Sequence, residues 1–139
     1  MRSFFMKTCR IRCMKKRALK RADEQGSRQI DEYFFYREPL PLNAGDDKGL
    51  NSLLGDAPTF EPFEGEKKCG SFHPDYAVEF RHGSSTYYFL ICFGCGEIKV
   101  VSSNTVSRFH MSDKGRAQLA SLLKPYHNNR PQREADKAN

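Results

Sequence analysis

The most continuous β-type pattern in the chain runs from Tyr76 to Phe109. Tyr76, Val78 and Phe80 alternate with Ala77, Glu79 and Arg81, the period of two that marks a half-buried strand. His82-Gly83-Ser84-Ser85 reads as a turn, with a glycine to supply positive φ. Thr86 to Cys92 is β-branched, aromatic or aliphatic nearly throughout and predicts a central strand. Ile98 and Val100 mark a third strand, and Val106 to Phe109 a fourth beyond the Ser102-Ser103-Asn104 turn. Ser112 then stands where it can cap a helix whose Leu119, Leu122 and Leu123 cover one sheet face, with Pro125 as its stop. The expected core is Tyr76, Val78, Phe80, Tyr88, Leu90, Ile98, Val100, Leu119 and Leu122.

Upstream the signals are shorter. Asp31 to Tyr36 is an aromatic run, either a strand or a segment laid on the core, and Pro39 and Pro41 end it. Asp46 or Asp47 can cap a short helix through Leu50, Leu53 and Leu54, with Gly55 just past its end. Pro58 and Pro62 keep residues 57–65 extended, anchored by Phe60 and Phe63. Residues 6–24 contain good helix formers without Gly or Pro, but only a thin apolar stripe, and predict a solvated helix. The fold class is therefore α+β: an antiparallel meander of three to four strands, a C-terminal helix packed on one face, and a short helix before the sheet. Residues 1–28 form a basic tail or loose helix, residues 29–125 the single α+β domain, and residues 126–139 a disordered C-terminal tail. Removal of residues 1–28 is expected to leave stability nearly unchanged.

Charge sharpens this division. Residues 1–28 hold ten Lys and Arg side chains against Asp23 and Glu24, while the chain of 139 residues carries +6 in all. The body is thus slightly acidic, which argues against a basic nucleic-acid-binding fold surface. Nucleic acid or an anionic surface is possible only through residues 1–28, and a protein partner is unspecified. No apolar run reaches the roughly 18 residues of a membrane span. The start lacks the apolar stretch of a secretory leader, which points to the cytoplasm, or to export if the start is misplaced. Five cysteines are an odd count, so a full disulfide framework is disfavoured.

The candidate chemistry lies between Lys68 and Val101. Cys69 and His73 precede the first strand of a hairpin, and Cys92 and Cys95 follow its second, so antiparallel pairing brings the four together. Two short-spaced pairs of thiolate and imidazole donors suit a structural zinc ion. A disulfide from Cys69 to Cys92 or Cys95 is the rival reading, and three buried small apolar residues the plain one. His73, before Pro74, has a turn role as its alternative. A thioredoxin-like redox pair needs a helix after the first cysteine, whereas Glu97 to Val101 is β sequence. A thiol-dependent enzyme lacks any visible orienting group or oxyanion site. Cys9 and Cys13 read as incidental thiols; His82, His110 and His127 read as turn or surface residues. Glu79 and Glu97 read as solvent-facing strand positions rather than paired carboxylates.

Lys68 to Glu79 (KCGSFHPDYAVE) followed by Leu90 to Glu97 (LICFGCGE) resembles a group of small uncharacterised bacterial proteins, over about residues 50–124. The resemblance carries no activity, cofactor or partner. Relatives of this sort are often exported or lipid-anchored, which favours the disulfide reading; this chain departs from them in its basic, non-apolar opening. The expectation is a small non-enzymatic binding or scaffolding domain with a Cys3His zinc site at Cys69, His73, Cys92 and Cys95.

Overall fold

The computed structural model describes residues 9–13, 27–37, 39–65 and 72–127. In chain order they form β1 (Cys9–Cys13), β2 (Ser27–Ile30), β3 (Tyr33–Tyr36), β4 (Leu40–Pro41), α1 (Ala44–Leu54), a 3-10 turn (Ala57–Thr59), β5 (Phe60–Pro62), β6 (Tyr76–His82), β7 (Ser85–Cys92), β8 (Glu97–Val101), β9 (Val106–Met111) and α2 (Asp113–His127). The strands β6 to β9 are the predicted meander. They lie inside a larger antiparallel sheet of order β4-β1-β6-β7-β8-β9-β5, while β2 and β3 form a separate hairpin. Both edges of the large sheet are short and carry proline, Pro41 on β4 and Pro62 on β5, which blunts them against further pairing.

The meander turns where turn chemistry says it should. His82 pairs with Ser85 across Gly83-Ser84, and Gly83 takes φ +61°. Ser112 caps α2 by accepting the Gly115 N–H at 3.0 Å and ties it to the 3-10 turn by donating to the Pro58 carbonyl at 2.7 Å. The cap of α1 is a correction. Asn43, not Asp46 or Asp47, accepts the Asp46 N–H at 2.7 Å, while the Asp46 carboxylate takes the Asn43 amide at 2.9 Å. The reciprocal pair resembles a capping box and leaves both aspartates in the first turn, where the helix dipole favours them.

The sheet is covered on both faces, where the sequence pattern suggested one core. On the first face Tyr76, Val78, Ile91, Ile98 and Met111 pack against Leu50 and Leu54 of α1 and Leu119, Leu123 and Tyr126 of α2. On the second, Ala77, Leu90 and Cys92 pack with Cys95, Phe72, and Ile30 and Phe35 of the β2–β3 hairpin. Leu90 therefore faces away from Tyr76 and Val78, since it pairs with Ala77 and strand side chains alternate. Double coverage explains why Thr86 to Cys92 reads as a continuous apolar run.

Two boundaries move. The helix expected over residues 6–24 is, at its described residues, the strand β1, paired with β6 from Cys9↔Phe80 to Cys13↔Tyr76. Helix propensity lost to the tertiary gain of pairing the open edge of β6. Residues 6–8 and 14–24 of that expected helix, and the tail from residue 128, lie outside the described residues. At the other end, α2 continues through Pro125 to His127. A proline in the last turn removes one hydrogen bond, and Tyr126, buried in the core and donating its hydroxyl to Asp46, holds that turn in place.

Candidate functional site

The turn Cys92-Phe93-Gly94-Cys95-Gly96 joins β7 to β8 and is tied down from several sides. The Cys95 N–H points at Cys92 Sγ at 3.3 Å, and Gly96 takes φ +68°, a conformation that glycine adopts without strain. Asp75, just ahead of β6, donates its N–H to the Ile91 carbonyl at 2.7 Å and accepts the Phe93 N–H on its carboxylate at 3.0 Å. The residues before the first hairpin strand thus sit beside those after the second, as the pairing argument required. Met111 donates its N–H to the Gly96 carbonyl at 2.8 Å, and the Arg116 guanidinium of α2 reaches the Phe93 carbonyl.

Cys92 and Cys95 are 2% and 5% exposed, and their sulfurs are not joined to each other. Phe72 packs in the same cluster. Cys69 lies outside the described residues. His73 is exposed. Among the described residues no group of three or more His, Cys, Asp and Glu side chains stands close enough to hold a metal ion, so His73 is not gathered with Cys92 and Cys95. Cys9 and Cys13 occupy register positions opposite Phe80 and Tyr76.

Sequence reasoning missed a set of buried ionisable groups on the same face. Register places Cys92, Glu97, His110 and Glu61 in one row across β7, β8, β9 and β5. Glu97 is 2% exposed and accepts from Arg108 at 2.8 Å. Lys99 donates to the Tyr33 hydroxyl at 2.9 Å, its ammonium 4.9 Å from the Tyr33 ring centre and 4.8 Å from that of Phe72. His110 is 6% exposed, stacked on Phe63 with ring centres 5.1 Å apart, and its Nδ1 has no hydrogen-bond partner. Glu79, 1% exposed, accepts from Arg81 at 3.0 Å.

These positions correct the solvent-facing reading of Glu79, Glu97 and His110. Alternation placed them away from the helical core, but the hairpin, Phe63 and Phe72 cover that side too. The two glutamates are not a catalytic pair, since they stand opposite Tyr88 and Cys92, four residues apart on β7. Burial, followed by a hydrogen bond with Glu32, pushes the Tyr33 phenol well above its ordinary range.

At the far end of the strands, between the β6–β7 and β8–β9 turns and the β2–β3 hairpin, lies an open cleft of about 720 Å³. Its walls are hydroxyl- and amide-rich, including Ser84, Ser85, Thr86, Ser103 and Asn104.

Comparison with family models, curated proteins and solved structures finds no match to this chain. Among the described residues no helix is long and apolar enough to cross a membrane.

Proposed function

We propose that this is a small non-enzymatic binding or scaffolding domain whose Cys69, Cys92 and Cys95, with an imidazole, hold a structural zinc ion. The carrying observation is that the entry to β6, at Phe72 and Asp75, lies against the Cys92–Cys95 turn. Phe72 shares a buried cluster with both cysteines, and the Asp75 carboxylate accepts the Phe93 N–H of the turn. Cys69 is three residues before Phe72 in the sequence. The donor set fits the ion: soft sulfurs on a tight turn, with a backbone amide aimed at one of them. The ion would cross-link the entry to β6 with the exit from β7.

Burial weighs against the thiol-enzyme alternative. A nucleophilic thiol must be reachable and acidified, whereas Cys92 and Cys95 are both buried. If the domain binds a partner, the hydroxyl-rich cleft offers one surface for it, away from the cysteine turn.

Metal analysis of the purified protein tests the reading. Zinc retained under native conditions, lost in Cys95→Ser together with thermal stability, is the expected result. The rival Cys69–Cys92 or Cys69–Cys95 disulfide would show as a mass lower by two hydrogens under denaturing, non-reducing conditions. Metal-free protein with that mass overturns the zinc proposal.

A further inference from the structure

We propose that the cleft at the far end of the strands holds a small phosphorylated sugar, with its phosphate on Arg28 and Arg81 and its hydroxyls toward Asp31. This gives the binding role a ligand class and does not depend on zinc, because the cysteine turn lies at the other end of β7 and β8.

The phosphate end is set by a shared carboxylate. Glu79 is buried on β6 and stands 4.0 Å from Arg28 of β2 and 3.0 Å from Arg81 of its own strand. Arg28 is held further by Tyr88: it donates to the hydroxyl, and its guanidinium carbon lies 5.2 Å from the ring centre. Two cations on one carboxylate leave a positive charge over, and both arginine side chains reach solvent. Each guanidinium carries five N–H donors, more than these contacts consume. A guanidinium fixed in place with donors to spare matches the oxygens of a phosphate.

The sugar end is of a different kind. Apart from Arg28 and Asp31 the lining is uncharged, and Thr86, Ser103 and Asn104 bring hydroxyls and an amide to it. Asp31 is 3.9 Å from Lys99, which is also 3.7 Å from Glu32, so one ammonium serves two carboxylates and this wall is acidic in balance. A carboxylate accepts from sugar hydroxyls and repels a phosphate, which fixes the direction in which the ligand lies. The same repulsion disfavours a polyanion, whose next charge would be carried toward Asp31 and Glu32. Arg28 and Asp31 are three residues apart along the hairpin, at most about 10 Å of extended chain, which a sugar phosphate and its contacts can span. The cleft volume of about 720 Å³ is that of a small-molecule site.

Calorimetric titration of the full chain with ribose 5-phosphate, inorganic phosphate and ribose tests this. Ribose 5-phosphate should bind saturably, about 10-fold or more tighter than inorganic phosphate, and ribose far more weakly than either. Arg28→Gln and Arg81→Gln should each weaken both phosphate-bearing probes by about 10- to 100-fold, the worth of a charge-assisted hydrogen bond. Asparagine tolerates the φ of +55° at position 31, so Asp31→Asn keeps the turn. It should weaken ribose 5-phosphate while leaving inorganic phosphate unchanged, a split that general loss of structure would not produce. Melting curves without ligand identify any variant that fails to fold, and Arg81, the more exposed arginine, serves if Arg28→Gln does. Absence of saturable ribose 5-phosphate binding, equal binding of sulfate at the same ionic strength, or unaltered affinity in Arg81→Gln overturns the proposal. Tighter binding of a short single-stranded oligonucleotide also overturns it, by assigning the arginines to a nucleic-acid surface. None of these outcomes bears on whether the protein retains zinc.

Discussion

At the scale of single residues, the stabilising contacts divide between the two sheet faces. Leu90 is fully buried on the hairpin side, so Leu90→Ala should cost about 2–5 kcal/mol in a denaturant melt. A cost within error would mean that the hairpin collapses onto the gap or does not cover it. Tyr33 and Tyr126 make a second, pH-dependent contribution. Burial raises both phenols above the ordinary value of 10.0, with hydrogen bonds to Glu32 and Asp46 adding to it. The fold favours the neutral phenol, so the unfolded chain ionises first. Their stabilisation is complete below pH 10.0 and is lost as pH rises above it. Replacing both by Phe should flatten the alkaline limb of stability against pH; an unchanged slope would assign that limb to other groups. The cysteine turn was readable in the sequence because C-x-x-C-G is local. His110 and Glu97 were not, because a polar residue on an alternating strand looks the same whether water or a second layer lies over it.

At the scale of elements, helix placement depends on two glycines that behave differently. A Cβ on Gly115 would lie 2.7 Å from the Thr59 carbonyl oxygen and 2.9 Å from its Cα, backbone atoms of the 3-10 turn that cannot step aside. A Cβ on Gly49 would meet only the Cδ1 of Leu122, at 2.8 Å, the end of a flexible side chain. Gly115→Ala should therefore destabilise by about 1–3 kcal/mol despite its better helix propensity. Gly49→Ala should fall within about 1 kcal/mol of the parent, because helix propensity offsets the shift of Leu122. Thermal melts of the two variants compare them directly, and equal melting temperatures would reject the close-packing account. The meander, its turns and the Ser112 cap were all legible, since each is set by neighbours in sequence. The Asn43 cap was missed because the aspartates that follow it are equally good capping types.

At the scale of the whole molecule, the decisive feature is the place of β1. Its pairing makes β6 an interior strand, so the expectation that residues 1–28 are dispensable gives way to its opposite. Deleting residues 1–13 should lower the melting temperature and, by exposing the edge of β6, promote self-association seen by light scattering. A shortened chain that stays monomeric and equally stable would show that β1 contributes nothing. The sequence by itself determined the order and turns of β6 to β9, the two helices and the hairpin logic that sets residues before β6 beside the cysteine turn. Those follow from periodicity and turn chemistry over a few residues. Only the tertiary structure decided that β1 joins the sheet, that the β2–β3 hairpin covers the second face, and that Glu79, Glu97, Lys99 and His110 are buried. Each of those outcomes depends on which distant segment covers a given surface, and burial of a polar group becomes tolerable only once that segment or a neighbouring strand brings it a partner.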